Sequence, residues 1–456
     1  MALAEWVANG APPYDLWPVD IRRFGRNSLS TAAVRSRTLE AYGRHYAMAW
    51  PHEEYASARP ARRSPLYDRL AARGAVFGEK LGWERPNWFA AAGERPEDVP
   101  TFERPNWFGA VAREHRACRE AAALFDQTSF AKFLLTGRDA EAALSWIAAN
   151  DVTRPPGALT YTQMLNPQGG IECDLTVARL AEDAFYIVTG TGFATHDFHW
   201  IARNIPAGLD ARLADVTSQY AVLALMGPHA RDILATVAEE DVSNAAFPFA
   251  SVRRLSVAGA PVTALRITYV GELGWELHVP VEFAATVYDA LTAAGRPLGL
   301  ADAGYRAIES LRLEKGYRAW GADIGPDHSP LVAGLGFAVK LRKNVPFLGR
   351  AALEAQAAGR LPRLLAGFTV DDPNVTLLGR ETIYRDGKRV GWLSSGGYGH
   401  TLGRSIGYGY VRDPENGVDA ETVLSGRYEL EVATERYPAA VFLRPPYDPE
   451  MTRIRA

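Results

Sequence analysis

Cysteine is nearly absent from this 456-residue chain: Cys118 and Cys173 are the only two, far apart and in neither a Cys-x-x-Cys nor a zinc spacing. That excludes a disulfide scaffold and suits a reducing cytoplasm. No run of 18 apolar residues occurs, and the opening Met1-Ala2-Leu3-Ala4-Glu5-Trp6 lacks the basic region and apolar core of a signal peptide. The sequence therefore predicts a cytoplasmic protein with no membrane association. Charge of one sign is not in excess: the formal net charge is −3, which removes any global electrostatic case for nucleic-acid binding. There is no Walker loop and no Gly-x-Ser-x-Gly elbow, so covalent catalysis has no supporting motif. No Gly-x-Gly-x-x-Gly follows a strand, and Gly334-Leu335-Gly336 lacks both the third glycine and a βαβ setting, so the chain has no motif for holding FAD.

The hydrophobic content of 47% is enough to bury large cores, and the length suggests about two to four domains. Ala2 to Asn9 is a short helical pattern ended by Gly10 and the Pro12-Pro13 pair, and Asp15 to Phe24 follows in an extended style. Trp83-Glu84-Arg85-Pro86-Asn87-Trp88-Phe89 is echoed by Phe102-Glu103-Arg104-Pro105-Asn106-Trp107-Phe108 around a Pro/Glu-rich stretch, which reads as a hinge. A helical pattern over Val111 to Leu124, a strand at Ala131 to Leu135 and a helix from Asp139 to Ala149 come next. Beyond Phe347 the chain changes to short β-runs, such as Glu381 to Tyr384 and Val390 to Leu393, joined by the turn Arg385-Asp386-Gly387-Lys388. His196 and His199 could lie at i and i+3 on a helix, but no third ligand of suitable spacing is visible, so no metal is expected.

Two segments carry the chemistry. Thr160 to Leu165 and Ile171 to Val177 flank the turn Asn166-Pro167-Gln168-Gly169-Gly170 and predict a β-hairpin. In the returning strand Ile171, Cys173, Leu175 and Val177 are apolar while Glu172, Asp174 and Thr176 are polar, so Asp174 faces away from the hydrophobic side beside Thr176. Further on, Tyr269-Val270-Gly271-Glu272-Leu273-Gly274-Trp275-Glu276-Leu277 has two glycines for tight bends. The alternation after them puts Trp275 and Leu277 on one face and Glu276 and His278 on the other.

Together these segments resemble the folate site of the glycine cleavage T-protein family, which also forms the C-terminal half of folate-linked dimethylglycine and sarcosine dehydrogenases. The resemblance runs from Glu114-His115-Arg116-Ala117, Leu124-Phe125-Asp126 and Thr136-Gly137-Arg138-Asp139-Ala140, through both segments, to Ser310-Leu311-Arg312-Leu313-Glu314. It continues into Phe347-Leu348-Gly349-Arg350 and Gly407-Tyr408-Gly409-Tyr410-Val411. One position departs: the T-protein family proper has an arginine two residues before Ser-Leu-Arg, where this chain has Ile308, with Arg306 two residues earlier. That contact is not carried over, and the departure favours the dehydrogenase-linked branch.

The resemblance implies an α+β protein in three parts. Residues 1–83 would be a small N-terminal middle domain like that of FAD-dependent amine dehydrogenases, 84–345 a T-protein-like folate-binding domain of antiparallel sheets with packed helices, and 346–456 a C-terminal β-barrel or jelly-roll-like domain. It implies tetrahydrofolate as cofactor, a methylated amine such as dimethylglycine or sarcosine as the source of the one-carbon unit, and FAD held only by a partner oxidoreductase subunit or a missing domain. A tetrahydropterin presents an exocyclic amine and a ring N–H side by side, a donor pair that one carboxylate accepts in two hydrogen bonds. Glu276 suits that task. A second carboxylate near N5 and N10 would move a proton or stabilise an iminium carbon, and Asp174 is the candidate catalytic residue. Tyr269 and Trp320 stand where the family places aromatics near the folate, with Tyr161 and Thr176 as further binding residues. Two alternatives remain open: a flavin-independent tetrahydrofolate-dependent demethylase and a non-catalytic subunit.

Overall fold

The computed structural model of the chain describes residues 2–10, 12, 14–25 and 30–456. The predicted first helix forms over Ala2–Asn9; Pro13, half of the Pro-Pro pair expected to end it, lies outside the described residues. The stretch expected to be extended, Asp15 to Phe24, is instead two short 3-10 turns, Trp17–Val19 and Ile21–Arg23. Two aspartates cause this: Asp15 accepts the Trp17 N–H at 2.8 Å, and Asp20 accepts the Arg22 N–H at 2.8 Å. Such side-chain caps compete locally with extended backbone. Helix Thr31–Arg44 follows, with the Ser30 hydroxyl at its N-cap.

Two sheets form the central body. One is five-stranded and wholly antiparallel, in the order Leu159–Leu165, Ile171–Ala181, Ala184–Thr189, Ala131–Thr136, Arg212–Asp215. The other is six-stranded, in the order Val252–Val257, Ala260–Leu265, Gly274–Pro280, Tyr220–Met226, Ala122–Asp126, Leu300–Asp302, with only the last pair parallel. Helices cover their faces, and the largest core cluster contains Leu225, Ile233, Phe247, Trp275, Leu277 and Leu291. Six strands between Arg363 and Phe442 close into a barrel, the C-terminal architecture expected. Its tightest hairpin turns at Asp386 and Gly387, both left-handed, as the Asp-Gly pair predicts. No helix among the described residues is long and apolar enough to cross a membrane.

Two segments differ from their local reading. The helix expected to reach Leu124 ends at Glu120, and Ala122–Asp126 is a strand buried along its whole length. A continuous apolar run in the middle of a sheet has no period that separates it from a buried helix. The two copies of the echo adopt different structures. Trp83–Phe89 is a strand paired with Ala75–Lys80, with Trp88 fully buried, whereas the second copy runs into helix Phe108–Glu120. The neighbouring strand decides the difference.

Helix Phe108–Glu120 and helix Tyr305–Lys315 are joined to the barrel by a buried ionic cluster. Arg119 donates to Glu272 at 2.9 Å and to Glu314 at 3.1 Å. His115 bonds Ser310 at 3.0 Å and Thr401 at 2.8 Å, with Glu314 at 3.3 Å. Arg453, at the far end of the chain, reaches Glu272 at 2.7 Å. Burial opposes ionisation of Glu314, but His115 and Arg119 outweigh it and hold its carboxyl at about 2. Its contribution to stability is therefore present above the ordinary carboxylate range and is lost as pH falls towards about 2. Replacing Glu314 with Gln takes one of the two carboxylates from the buried Arg119 guanidinium and is expected to cost about 3 kcal/mol in urea unfolding at neutral pH; an unchanged midpoint would show that the cluster is not a structural tie.

Candidate active site

The hairpin forms as its sequence predicts. The Asn166 side chain accepts the N–H groups of Gln168 at 3.1 Å and Gly170 at 2.8 Å, and Gly169 takes the left-handed conformation that closes the turn. This turn sets the register: Gln163 lies opposite Asp174 and Tyr161 opposite Thr176. Side chains at opposite positions share a face, so Asp174 collects two donors on one oxygen. The Tyr161 hydroxyl donates to Oδ1 at 2.6 Å and the Gln163 amide at 2.8 Å. Among the described residues nothing donates to Oδ2. Burial pushes the Asp174 carboxyl up to about 6, against the pull of those two donors and of the Arg318 charge. A half-buried carboxylate of this kind is ionised at neutral pH and close enough to it to exchange protons.

Tyr269 stands within electrostatic reach of Asp174. Its hydroxyl donates to the Arg318 carbonyl at 2.8 Å and its ring stacks on Tyr317, with centroids 5.7 Å apart at 16°. The loop carrying it is shaped by Thr268, whose hydroxyl accepts the N–H groups of Val270 and Gly271, and by left-handed Gly271. Of the two glutamates that follow, Glu272 is turned inward to Arg119 and is 1% exposed, while Glu276 is half-buried. Glu276 lies opposite Leu265 and Ala224 in the six-stranded sheet, with His278 Nε2 at 3.8 Å. His278 is itself hydrogen-bonded to Tyr186 of the five-stranded sheet at 3.0 Å, so Glu276 stands where the two sheets meet. Burial lowers the proton affinity of His278 despite Glu276 beside it.

Thr176 shares the face of Asp174 but makes no side-chain hydrogen bond among the described residues. Trp320 braces the hairpin, donating its indole N–H to the Ile171 carbonyl at 3.1 Å, with Phe193 edge-on at 4.3 Å. The structure thus groups Tyr161, Asp174, Thr176 and Tyr269, sets Trp320 behind the hairpin, and puts Glu276 on the second wall. Gln163, Arg318, Tyr317 and Phe337, which stacks on Tyr161 at 6.2 Å, escaped the sequence reading. Only Gln163 carried a signal, since counting back from the turn puts it opposite Asp174. Of the two histidines considered for metal, His199 is exposed and His196 lies between Asp197 at 2.9 Å and Glu172 at 3.2 Å. Burial disfavours the imidazolium, but both carboxylates raise His196 to about 9. Cys173, from the hairpin, brings its sulfur within 4.8 Å of ligand atoms of His196 and Asp197, a proximity that sequence spacing could not reveal. The thiol is hydrogen-bonded to Asp197.

A cavity of about 690 Å³ lies elsewhere, between residues 44–59, the 98–108 segment, helix Tyr305–Lys315 and the barrel. None of the six anticipated site residues lines it. Tyr305 is its link to the site, bonded to Ser129 at 3.2 Å and sensing the Glu276 charge. Arg306 faces this cavity, paired with Asp98 at 2.7 Å, while Ile308 is buried in a core cluster.

Three family models match the chain: the GCVT N-terminal domain over residues 66–343, the glycine cleavage T-protein C-terminal barrel domain over 363–448, and the FAD dependent oxidoreductase central domain over 9–64. The mitochondrial sarcosine dehydrogenase of Mus musculus is 42% identical, over 99% of this chain and 54% of that protein. The 4-methylaminobutanoate oxidase (formaldehyde-forming) of Paenarthrobacter nicotinovorans is 40% identical over the same shares. The chain therefore spans about half the length of these curated relatives. The aminomethyltransferase of Shouchella clausii is 33% identical, over 84% of this chain and 97% of that enzyme. Among solved structures, the glycine cleavage system aminomethyltransferase T from Bartonella henselae superposes with a TM-score of 0.72 at 26% identity, covering 85% of this chain and 98% of that one.

The raised carboxyl of Asp174 has a thermodynamic sign. A carboxyl whose folded pKa lies above its unfolded value favours the fold while protonated, and that advantage is lost as pH rises through about 6. Asp174→Asn, neutral throughout, should therefore gain about 2–3 kcal/mol on the native protein between about pH 4 and about pH 8 in urea unfolding; parallel pH profiles would show that Asp174 is not desolvated.

Proposed function

The chain belongs to the glycine cleavage T-protein family, and we propose that it is the tetrahydrofolate-binding one-carbon transfer module of an N-methyl amine demethylating system. Glu276 would accept the pterin amine and adjacent ring N–H, with Tyr269 and Tyr161 beside the ring and Asp174 at the reacting nitrogens. Thr176 and Trp320 complete the proposed contacts, Trp320 through the hairpin it braces. Tetrahydrofolate supplies two amine nitrogens that together take up formaldehyde with loss of water, giving 5,10-methylenetetrahydrofolate. Asp174 would take the proton shed by each nitrogen in turn as it bonds the carbon and pass it to the formaldehyde oxygen, so that the oxygen leaves with both protons as water and the carboxylate is regenerated. The observation that carries this reading is the geometry of the Asp174 carboxylate, with two donors on one oxygen and the other oxygen uncommitted among the described residues, burial pushing the carboxyl up to about 6.

The formaldehyde or iminium would come from a flavoprotein that oxidises a sarcosine-like or dimethylglycine-like amine. Residues 1–83 are taken as the part facing it, followed by the folate-binding part, 84–345, and the barrel, 346–456. In favour of such a partner, large apolar side chains stand in solvent through the segment matching the FAD dependent oxidoreductase central domain: Val19 is 80% exposed, Ile21 82% and Tyr46 81%. Apolar surface of this density is characteristic of an interface. The flavin-binding residues would belong to another polypeptide or to a further part of this one.

Two substitutions separate binding from chemistry in a tetrahydrofolate-dependent formaldehyde-uptake assay. Glu276→Gln turns one acceptor into a donor facing pterin donors and is expected to weaken tetrahydrofolate binding by about 2–4 kcal/mol; unchanged affinity removes Glu276 from the site. Asp174→Ala should lower turnover more than affinity. Full turnover in that variant would end its assignment as the proton carrier.

A further inference from the structure

The barrel carries nine arginines between Arg363 and Arg444, and they fall into two groups. Arg385, Arg404, Arg427, Arg436 and Arg444 each have a carboxylate within 4.0 Å. Arg363, Arg380, Arg389 and Arg412 have none among the described residues. These four are neighbours, Arg363 donating to the Asp327 carbonyl and lying over the Tyr410 ring. Arg380, Arg389 and Arg412 line one groove of about 480 Å³ with Thr382, Trp392 and Pro414, and no acidic residue lines it. Arg363 lies directly opposite Arg412 in the strand ladder.

Such an arrangement costs stability unless something compensates it. Like charges at directly opposed strand positions repel, and burial together with the Arg363 charge weakens the hold of Arg412 on its proton. The Nε of Arg412 is buried without any hydrogen-bond partner, and an orphaned buried donor requires an explanation. The Arg412 guanidinium carbon lies over the Trp392 ring, 3.9 Å from its centroid, and Trp392 is still 50% exposed. Arg380 holds a left-handed backbone, with φ of 86°, a strained conformation that is commoner at ligand sites than elsewhere. The groove belongs to the barrel wall: its residues are none of those assigned to the folate site, and Leu393, next to Trp392, points into the barrel core.

We propose that this groove is a binding site for a small organic polyanion, a molecule bearing two or more phosphate or carboxylate groups. The guanidinium groups supply bidentate donors for such groups, and the volume suits a ligand of nucleotide or tricarboxylate size. This site is independent of the folate reading and stands or falls without it.

The test is calorimetric titration of the intact chain at low ionic strength with tripolyphosphate and, separately, with citrate, while tryptophan fluorescence is followed. One saturable site with a dissociation constant below about 1 mM is expected for at least one probe. Binding of tripolyphosphate alone identifies a phosphate ligand, and binding of citrate alone a carboxylate ligand. Arg380→Ala and Arg389→Ala, both at exposed positions, should each weaken it about fivefold or more while the unliganded melting temperature stays that of the native protein. Trp392→Phe should abolish the fluorescence change but not the heat, and Glu276→Gln should leave both intact. No saturation by either probe up to about 10 mM, or arginine variants that titrate like the native chain, would overturn the proposal.

Discussion

Arg119 is the residue through which the parts of this molecule are held in one arrangement. From helix Phe108–Glu120 its guanidinium reaches Glu272 in the loop that follows Tyr269, Glu314 in helix Tyr305–Lys315, and the carbonyls of Val270 and Leu311. Tyr447 lies over its planar face at 3.8 Å. Four hydrogen-bonded groups and one ring around a cation that is 5% exposed leave it little freedom, and breaking one such contact strands charge in a medium that solvates it poorly. The loop fixed in this way presents Tyr269 towards Asp174 and starts the strand that carries Glu276. The buried cluster therefore sets where Tyr269 and the strand bearing Glu276 stand.

The hairpin bearing Asp174 works by a different balance. Its apolar face is committed to the core through Cys173, Leu175 and Val177, so the opposite face has to present Asp174, Thr176 and, across the ladder, Tyr161 and Gln163. Two hydrogen bonds stabilise the ionised carboxyl and burial opposes it, and the outcome is a group that titrates near neutrality rather than near 4. Moving either donor would shift that balance, which makes Tyr161 and Gln163 as important to the acid as its own position.

Much of this was legible in the chain. Strict alternation from Ile171 to Val177 and the Asn-Pro-Gln-Gly-Gly turn specify the hairpin, its register and the face of Asp174, because a period of two and a tight turn leave no other solution. The alternation after Gly274 likewise separates Trp275 and Leu277 from Glu276. Where local pattern and context diverge, the sequence misleads. Ala122 to Asp126 continues a helix on paper but is a buried strand, and one hexapeptide, Glu-Arg-Pro-Asn-Trp-Phe, is strand in one copy and helix entry in the other. Gln163 follows from the hairpin register, counted back from the turn, whereas Arg318 and the Cys173–His196 contact arise from pairings between distant segments, which composition and spacing do not encode. The two short turns after Asp15 were missed because a single aspartate cap outweighs a weak extended preference.

The proposed tetrahydropterin site lies between the Asp174 hairpin and the Glu276 strand. A crystal structure of the chain with tetrahydrofolate tests it most directly. The expected result has the pterin amine and ring N–H on Glu276, the ring beside Tyr269, and the two reacting nitrogens at Asp174. Folate bound in the cavity lined by Trp107, Arg306 and Tyr398, with Asp174 and Glu276 untouched, would contradict it.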